Sequence, residues 1–162
     1  MPRVPFAQLP DDARVWIFGA SDALREDKAR HLLDAVDAYL EQWDAHGQPL
    51  TCGRDWRDGR FLAIGVDEQS AGASGCSIDA LFRVLLQLQA TLGATIVGGG
   101  RLYYRDAAGE IQCTTRPEFA RLRAAAVVDD DTVVFDTSVA TGRQYRERFE
   151  RPLANSWHRD VS

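Results

Sequence analysis

The sequence is poor in the residues that usually hold metals or cross-link small domains. It has three cysteines and three histidines among 162 residues, and no two cysteines form a C-x-x-C pair. This number and spacing predict neither a disulfide framework nor a zinc knuckle, and we expect no bound metal and no cofactor. The six positions are Cys52, Cys76, Cys113, His31, His46 and His158.

Long apolar runs and an excess of positive charge are also absent. Residues 1–10 lack the basic start and apolar stretch of a secretory signal, and no later run approaches the roughly 20 apolar residues of a membrane span. The formal net charge of −5 disfavours a chain that neutralises nucleic-acid phosphates or lies on an anionic membrane. We therefore expect a cytoplasmic protein that binds neither nucleic acid nor membrane.

The chain does contain enough apolar sequence to build a core. Hydrophobic residues make up 45% and charged residues 27%, which is typical of a soluble globular chain. Residues 14–18 are β-branched and aromatic and predict a first strand. Apolar residues then recur at helical spacing until Gly47, which predicts a long helix that begins at Ser21 or Asp22.

The centre of the chain predicts a hairpin and a second helix. Asp58 and Gly59 separate two strand-like runs, 50–56 and 60–66, and both residue types tolerate the positive φ of a tight hairpin turn. Ser77 is a good helix N-cap, and the apolar residues after it recur at helical spacing.

The last third predicts a second hairpin followed by a helix, a strand and a terminal helix. Two strand-like runs flank a turn at 107–109, and Pro117 suits the first turn of a short helix. Residues 132–135 predict one more strand, and a polar, locally basic helix is expected over about 142–150.

The order strand, helix, two strands, helix is the split βαβ arrangement of ferredoxin-like sandwiches, in which two helices cover one face of an antiparallel sheet. We therefore predict an α+β fold with a ferredoxin-like βαββα core in residues 1–100. Residues 101–162 are expected to form an appendage of β-hairpin, helix and strand with a C-terminal helix.

The stretch before the second helix is the most informative candidate site. Small residues between 70 and 79 let backbone amides face outward at the helix start, where the helix dipole favours a polar or anionic group. We expect a small ligand pocket here, in which the last residue, a carboxylate, limits affinity for multiply charged phosphates. Its candidate residues are Ser74, Gly75, Cys76, Ser77 and Asp79.

Cys76 has two interpretations. A thiol at a helix N-terminus is acidified and can act as a nucleophile, with His158 as the candidate base. Cysteine is also among the most buried residue types, and Ser77 with Asp79 explains the helix start by capping alone. His158 has a structural alternative too, because Trp157 beside it can anchor the end of the chain in an apolar core.

The other ionisable groups have simpler explanations. His31 is interpreted as a partly packed helix residue, and His46 as a residue of the last helical turn, where the dipole favours a cation. The acidic groups at 11–12, 67–68 and 129–131 each lie beside a turn, where aspartate is common.

Four segments of the chain carry a family resemblance that covers nearly its full length. They resemble a family of small bacterial proteins of unknown function that are often labelled ABC transporter ATPase. The label implies ATP hydrolysis, yet the sequence lacks the G-x-x-x-x-G-K-[ST] loop, and its only lysine, Lys28, lies in the first predicted helix. We therefore expect no ATPase activity. The segments are Ala13–Ile17, Ala73–Asp79, Thr132–Phe135 and, at the end, Pro152–Leu153 with Ser156–His158.

Residues 102–136 are locally similar to the second type of GYF domain, a peptide-binding module. The likeness rests on Tyr103 and Tyr104, a turn at Gly109 and the helix around Phe119, followed by the strand. The glycine-proline step that usually follows the hairpin in that family is replaced here by Cys-Thr-Thr-Arg. The resemblance implies recognition of proline-rich peptides.

These features together favour a binding or interaction protein. Its partner is an unidentified protein, peptide or small molecule, its ligand surface is the loop 70–79, and a homo-oligomer is left open. Two alternatives remain: a thiol-dependent enzyme that uses Cys76, and a peptide-binding module in residues 102–136.

Overall fold

The computed structural model describes residues 3–45, 47–68 and 75–162, with the backbone alone for 45 and 75–77. The chain forms two units, Met1–Val97 with Ser138–Tyr145 and Gly98–Thr137 with Arg146–Ser162. Each unit combines helices with an antiparallel sheet, which confirms the α+β class.

The first unit contains two long helices, a three-stranded sheet and a short two-stranded hairpin. β5 lies between β1 and β4 and is antiparallel to both, and β2 pairs with β3. The elements follow the chain as β1 Arg14–Gly19, α1 Glu26–Glu41, β2 Asp44–Ala45, β3 Gln48–Pro49, β4 Thr51–Arg57, β5 Phe61–Asp67 and α2 Gly75–Leu92.

The hairpin predicted from Asp58 and Gly59 is confirmed. Both residues have positive φ, 59° and 64°, and the Arg60 amide closes the turn on the Arg57 carbonyl at 3.0 Å. The turn sets the register of the sheet and places Trp56 opposite Leu62.

One shared core holds the sheet and both helices of this unit. The residues of β5 from Phe61 to Val66 are all buried, because this strand has neighbours on both edges and is covered on both faces. The helices cover the face of Leu62, Ile64 and Val66, and Phe6 and Leu9 lie against Gly65 on the other face. Burial of each large aliphatic side chain stabilises the unit by roughly 1.5–3 kcal/mol. The helices contribute Leu32, Val36, Leu40, Leu81, Leu85 and Leu92 to the same cluster.

The first helix is shorter than its apolar pattern predicts. α1 begins at Glu26 because Ser21, an expected cap, instead exchanges hydrogen bonds with Thr95 at 2.9 and 3.1 Å. It ends at Glu41 because Leu50 donates its amide to the Trp43 carbonyl at 3.0 Å and draws the chain into the β2–β3 hairpin. Gly47, with φ of 77°, lies in that hairpin's turn and not at the helix end.

The second unit is built on a four-stranded antiparallel sheet in the order β7-β6-β8-β9. Thr115 caps α3 by accepting the Glu118 amide at 3.3 Å, and Phe119 of that helix is buried in the unit's core. The elements of this unit are β6 Arg101–Arg105, β7 Ile111–Thr115, α3 Arg116–Ala124, β8 Val133–Phe135 and β9 Glu150–Pro152. The remaining helix, α4 Gly142–Arg148, has its first four residues in the first unit and the other three in the second.

Residues 138–145 belong to the first unit, although the sequence analysis predicts them as part of the C-terminal appendage. Val15 donates its amide to the Ala140 carbonyl at 2.9 Å, and Gly142 donates to Ala13 at the same distance. The Tyr145 hydroxyl donates to the Asp55 carboxylate at 2.7 Å. These bonds attach the segment to the sheet of the first unit beside β1.

Candidate functional site

The sequence-predicted ligand loop lies only partly within the described residues. Ser74 and the rest of 69–74 are outside them, and Gly75, Cys76 and Ser77 are described as the first backbone turn of α2. Asp79 is exposed on the following turn. Cys76 belongs to the first unit and His158 to the second.

The start of α2 corrects one element of the predicted pocket. The sequence places the cap at Ser77 and the outward amides at 78–80, but the helix begins two residues earlier, at Gly75. A helix uses the amides beyond its first turn for its own i to i−4 bonds, so those of Asp79 and Ala80 are committed internally. The amides at the helix start are then those of 75–77, still inside the predicted stretch.

His158 lies in a sealed aromatic cluster of the second unit. Its ring is fully buried, stacks on Trp157 with centroids 3.9 Å apart, and meets Phe119 at 5.8 Å. The Ser156 hydroxyl and ring Nδ1 are 2.7 Å apart. The Trp157 indole donates to the Asp136 carboxylate at 2.9 Å and fixes the stack in place.

The electrostatics of this cluster keep the imidazole neutral. Burial lowers the pKa of His158 to about 4. The charge of Asp136 acts to raise this pKa, whereas the guanidinium groups of Arg116 and Arg151 act to lower it further. Among the described residues, ring Nε2 of His158 and Nε of Arg151 are enclosed nitrogens without a hydrogen-bond partner. A base that must collect a proton from a substrate needs access, which this ring does not have.

The remaining predicted groups do not converge. His31 is exposed on α1, and His46 lies outside the described residues. Asp129 has a structural role, since its carboxylate accepts the Asp131 amide at 2.9 Å within the turn before β8. Over residues 3–45, 47–68 and 75–162 no group of three or more His, Cys, Asp or Glu side chains is placed to hold a metal ion.

A shallow groove of about 440 Å³ in the first unit was not predicted from sequence. The C-terminal half of α2 forms one wall, where Leu86 is 47% exposed. Ser21 and Thr95 form the other wall through their reciprocal hydrogen bonds, with Asp22 beside them. Gln89 holds the adjoining segment, because its side-chain oxygen accepts the Ile96 and Val97 amides at 2.9 and 3.1 Å.

The tyrosines of the GYF-like segment lie inside the second unit. Tyr103 is 2% and Tyr104 9% exposed, and the Tyr104 ring meets Phe119 edge-on at 6.1 Å. Burial raises the pKa of Tyr103 to about 12, although the Arg101 side chain, which donates to its hydroxyl at 3.1 Å, acts in the opposite direction. Tyr104 therefore belongs to the core of the unit, and Tyr103 is buried on the opposite face of β6.

No protein-family model, curated protein or solved structure is significantly similar to this chain. None of the helices in the described part of the chain is both long and apolar enough to cross a membrane.

Proposed function

We propose that this chain is a binding protein whose ligand surface is the loop 70–79 at the start of α2. The observation that carries the proposal is the complete burial of His158, which the sequence analysis names as the candidate base for Cys76. With that ring buried and its Nδ1 beside Ser156, a binding role accounts for the chain better than thiol-dependent catalysis does. The ligand is a small polar group, a peptide or a protein segment that presents one.

The layout of the first unit supports this placement. β5 is the central strand of its sheet and ends at Asp67, so the proposed loop leaves from the middle of the sheet and leads into α2. The order β1-β5-β4, antiparallel throughout, also agrees with the first three strands of a ferredoxin-like βαββα core, which we propose for this unit.

An NMR titration of ¹⁵N-labelled protein tests the surface. We expect sodium acetate to shift the amides of residues 75–77, and Gly75→Val to abolish the response because its side chain blocks the approach. Ser77→Ala adds no bulk and is the matched control, and Asp79→Asn should strengthen the response to phosphate by removing a negative charge. Shifts confined to Ser21, Gln89 and Thr95 would assign binding to the groove and contradict the proposal.

Alkylation by iodoacetamide separates the thiol-dependent alternative. A half-point for Cys76 modification near the ordinary cysteine value of about 8.5, or no reaction in the folded protein, would leave the thiol-dependent enzyme without support. A half-point several pH units lower would identify an activated thiolate and favour the enzyme. Mass spectrometry of the peptides assigns the label, with buried Cys52 as the internal reference.

A second candidate function, peptide recognition by residues 102–136, is favoured by the order of elements in the second unit. The hairpin β6–β7, helix α3 and strand β8 follow one another as the GYF-like interpretation expects. Titration with proline-rich peptides should then shift the amide signals of Tyr103 and Tyr104. Unchanged signals at millimolar peptide would exclude this candidate.

A further inference from the structure

The segment 156–161 is attached to the second unit by its side chains and not by its backbone. The amides of Ser156, Arg159 and Val161 each donate to a carbonyl three residues earlier in the chain. Among the described residues, no backbone hydrogen bond joins this segment to a strand or to α3. A segment with only local backbone bonds opens at a lower free-energy cost than the strands of the same unit.

Two polar side-chain contacts hold the segment in place. The Trp157 indole donates to the Asp136 carboxylate at 2.9 Å. The Arg123 guanidinium, which α3 carries, donates to the carbonyls of Arg159 and Val161, the second at 3.0 Å. The segment can therefore separate from the unit without breaking a strand pair.

The segment covers an apolar face of the second unit. His158 and Val161 are both fully buried, and the His158 ring centroid lies 5.8 Å from that of Phe119 on α3. Val161 belongs to the same hydrophobic cluster as Phe119 and Tyr104. Displacement of the segment therefore uncovers the Phe119 ring.

The surroundings of His158 favour an open segment once the ring is protonated. Ser156 contacts ring Nδ1 at 2.7 Å, whereas the enclosed Nε2 has no hydrogen-bond partner. A protonated ring would bury its charge and leave the Nε2–H group without an acceptor. Arg116 of α3 and Arg151 of β9 oppose that charge, and Asp136 beyond β8 favours it.

We propose that the segment 156–161 is a pH-sensitive cover, which opens when His158 is protonated and exposes the Phe119 ring while the sheet of the second unit stays folded. Water then hydrates both N–H groups of the released imidazolium. The cover lies wholly in the second unit, so it does not depend on the ligand surface proposed for the first.

Linkage sets the size of the effect. In the closed form burial lowers the pKa of His158 to about 4, against 6.5 for an ordinary histidine. The open form therefore binds a proton that the closed form does not bind between these values. The equilibrium constant for opening should rise about twentyfold from pH 7 to pH 5.

Amide hydrogen exchange of the full chain, followed by NMR at pH 7 and pH 5, measures this opening. After correction for the intrinsic pH dependence of exchange, the amides of Ser156, Arg159 and Val161 should lose about twentyfold in protection. Unchanged protection of these amides would overturn the proposal.

Low concentrations of urea separate opening of the cover from global unfolding. Exchange at the three amides should hardly respond to urea, because opening exposes little surface, whereas exchange in β6 should respond steeply. The same urea dependence at both places would show that the segment opens only when the unit unfolds, and it would overturn the proposal.

Substitution of the histidine tests the origin of the pH effect. His158→Phe keeps an aromatic ring and His158→Gln keeps a polar side chain, and neither variant can take up a proton at this position. In both, the twentyfold difference between pH 7 and pH 5 should disappear. A difference that persists in either variant would assign the opening to another group and overturn the proposal.

Arg123→Gln is the matched control, because it weakens the attachment of the segment without removing the titrating ring. It should increase exchange at the three amides by the same factor at both pH values and leave the twentyfold ratio intact. Loss of the ratio in this variant would show that the pH effect acts through the arginine contact, contrary to the proposal.

Discussion

Trp157 donates its indole N–H to the carboxylate of Asp136 at 2.9 Å, and Asp136 is only 6% exposed. The bond joins a 3₁₀ turn near the end of the chain to the residue that follows β8. It also orients the indole plane on which the His158 ring lies. The position of the histidine is therefore set by a tryptophan and an aspartate as well as by its own contact with Ser156.

Trp157→Phe should destabilise the second unit, because it leaves a buried carboxylate without one of its donors. We expect a loss of about 1–3 kcal/mol in the free energy of unfolding, measured by chemical denaturation. Asp136→Asn keeps an acceptor for the indole and should cost less. An equal or smaller loss for Trp157→Phe would show that the hydrogen bond contributes little to the stability of the unit.

The stability of the chain should fall as the pH drops from about 6.5 to 4. Burial lowers the folded-state pKa of His158 to about 4, so over this range the unfolded chain binds a proton that the folded chain does not. The stability that the chain gains from keeping His158 neutral is fully present above pH 6.5 and is lost as the pH falls toward 4. It amounts to at most about 3 kcal/mol in the free energy of unfolding.

Denaturation midpoints at several pH values check this dependence. His158→Phe keeps an aromatic ring against Trp157 and should flatten the curve between pH 6.5 and 4. His31→Asn, at an exposed position, should leave it unchanged. A His158→Phe curve with the wild-type slope would assign the pH dependence to other groups.

Local turn chemistry was readable from the sequence where adjacent residues decide it. Asp58 and Gly59 predicted their hairpin correctly because positive φ at two successive positions is a property of those two residue types. The end of α1 was predicted wrongly because Trp43 fits the helical pattern, whereas its carbonyl accepts the Leu50 amide. When a local helical pattern competes with a hydrogen bond to a residue later in the chain, the tertiary fold decides which of the two forms.

The surroundings of the candidate residues could not be read from sequence for the same reason. Whether His158 is a base or a core residue depends on Phe119, which comes from a helix far earlier in the chain. The groove likewise depends on Ser21 meeting Thr95, and neither residue lies in a recognisable motif. Hydrophobic periodicity identifies which face of a helix or strand is buried, but it does not identify the element against which that face packs.

Cys52 should resist alkylation in the folded protein while Cys113 reacts. Cys52 is a fully buried residue of β4, its thiol donates to the Leu40 carbonyl at 3.6 Å, and burial raises its pKa to about 12. Little nucleophilic thiolate is present at pH 8. Peptide mass spectrometry after timed iodoacetamide treatment should show Cys113 modified first and Cys52 modified only in denaturant. Equal rates in the native protein would show that the first unit opens readily.

Gly53→Ala should be more damaging than Gly65→Ala, although the two glycines face each other across β4 and β5. A Cβ at Gly53 would lie 2.6 Å from the Val4 carbonyl oxygen, which is backbone, and the same segment donates the Val4 amide to Cys52 at 2.7 Å. Relief therefore requires the N-terminal segment to leave the edge of β4. We expect a loss of about 3 kcal/mol in unfolding free energy, the upper end for overpacking.

A Cβ at Gly65 would also meet an atom at 2.6 Å, but that atom is Cδ1 of Leu9, the end of a flexible side chain. Cε2 of the Phe6 ring would also lie close, at 3.0 Å. Small shifts of the Leu9 and Phe6 side chains relieve both contacts without moving any backbone, so we expect a loss of about 1 kcal/mol, the lower end for overpacking. Gly99→Ala, with nothing within 4 Å of the added methyl group and no positive φ, is the neutral control. Amide exchange at Val4 should accelerate in Gly53→Ala alone. Equal losses for the two variants, with Val4 still protected, would show that the N-terminal segment adapts without leaving β4.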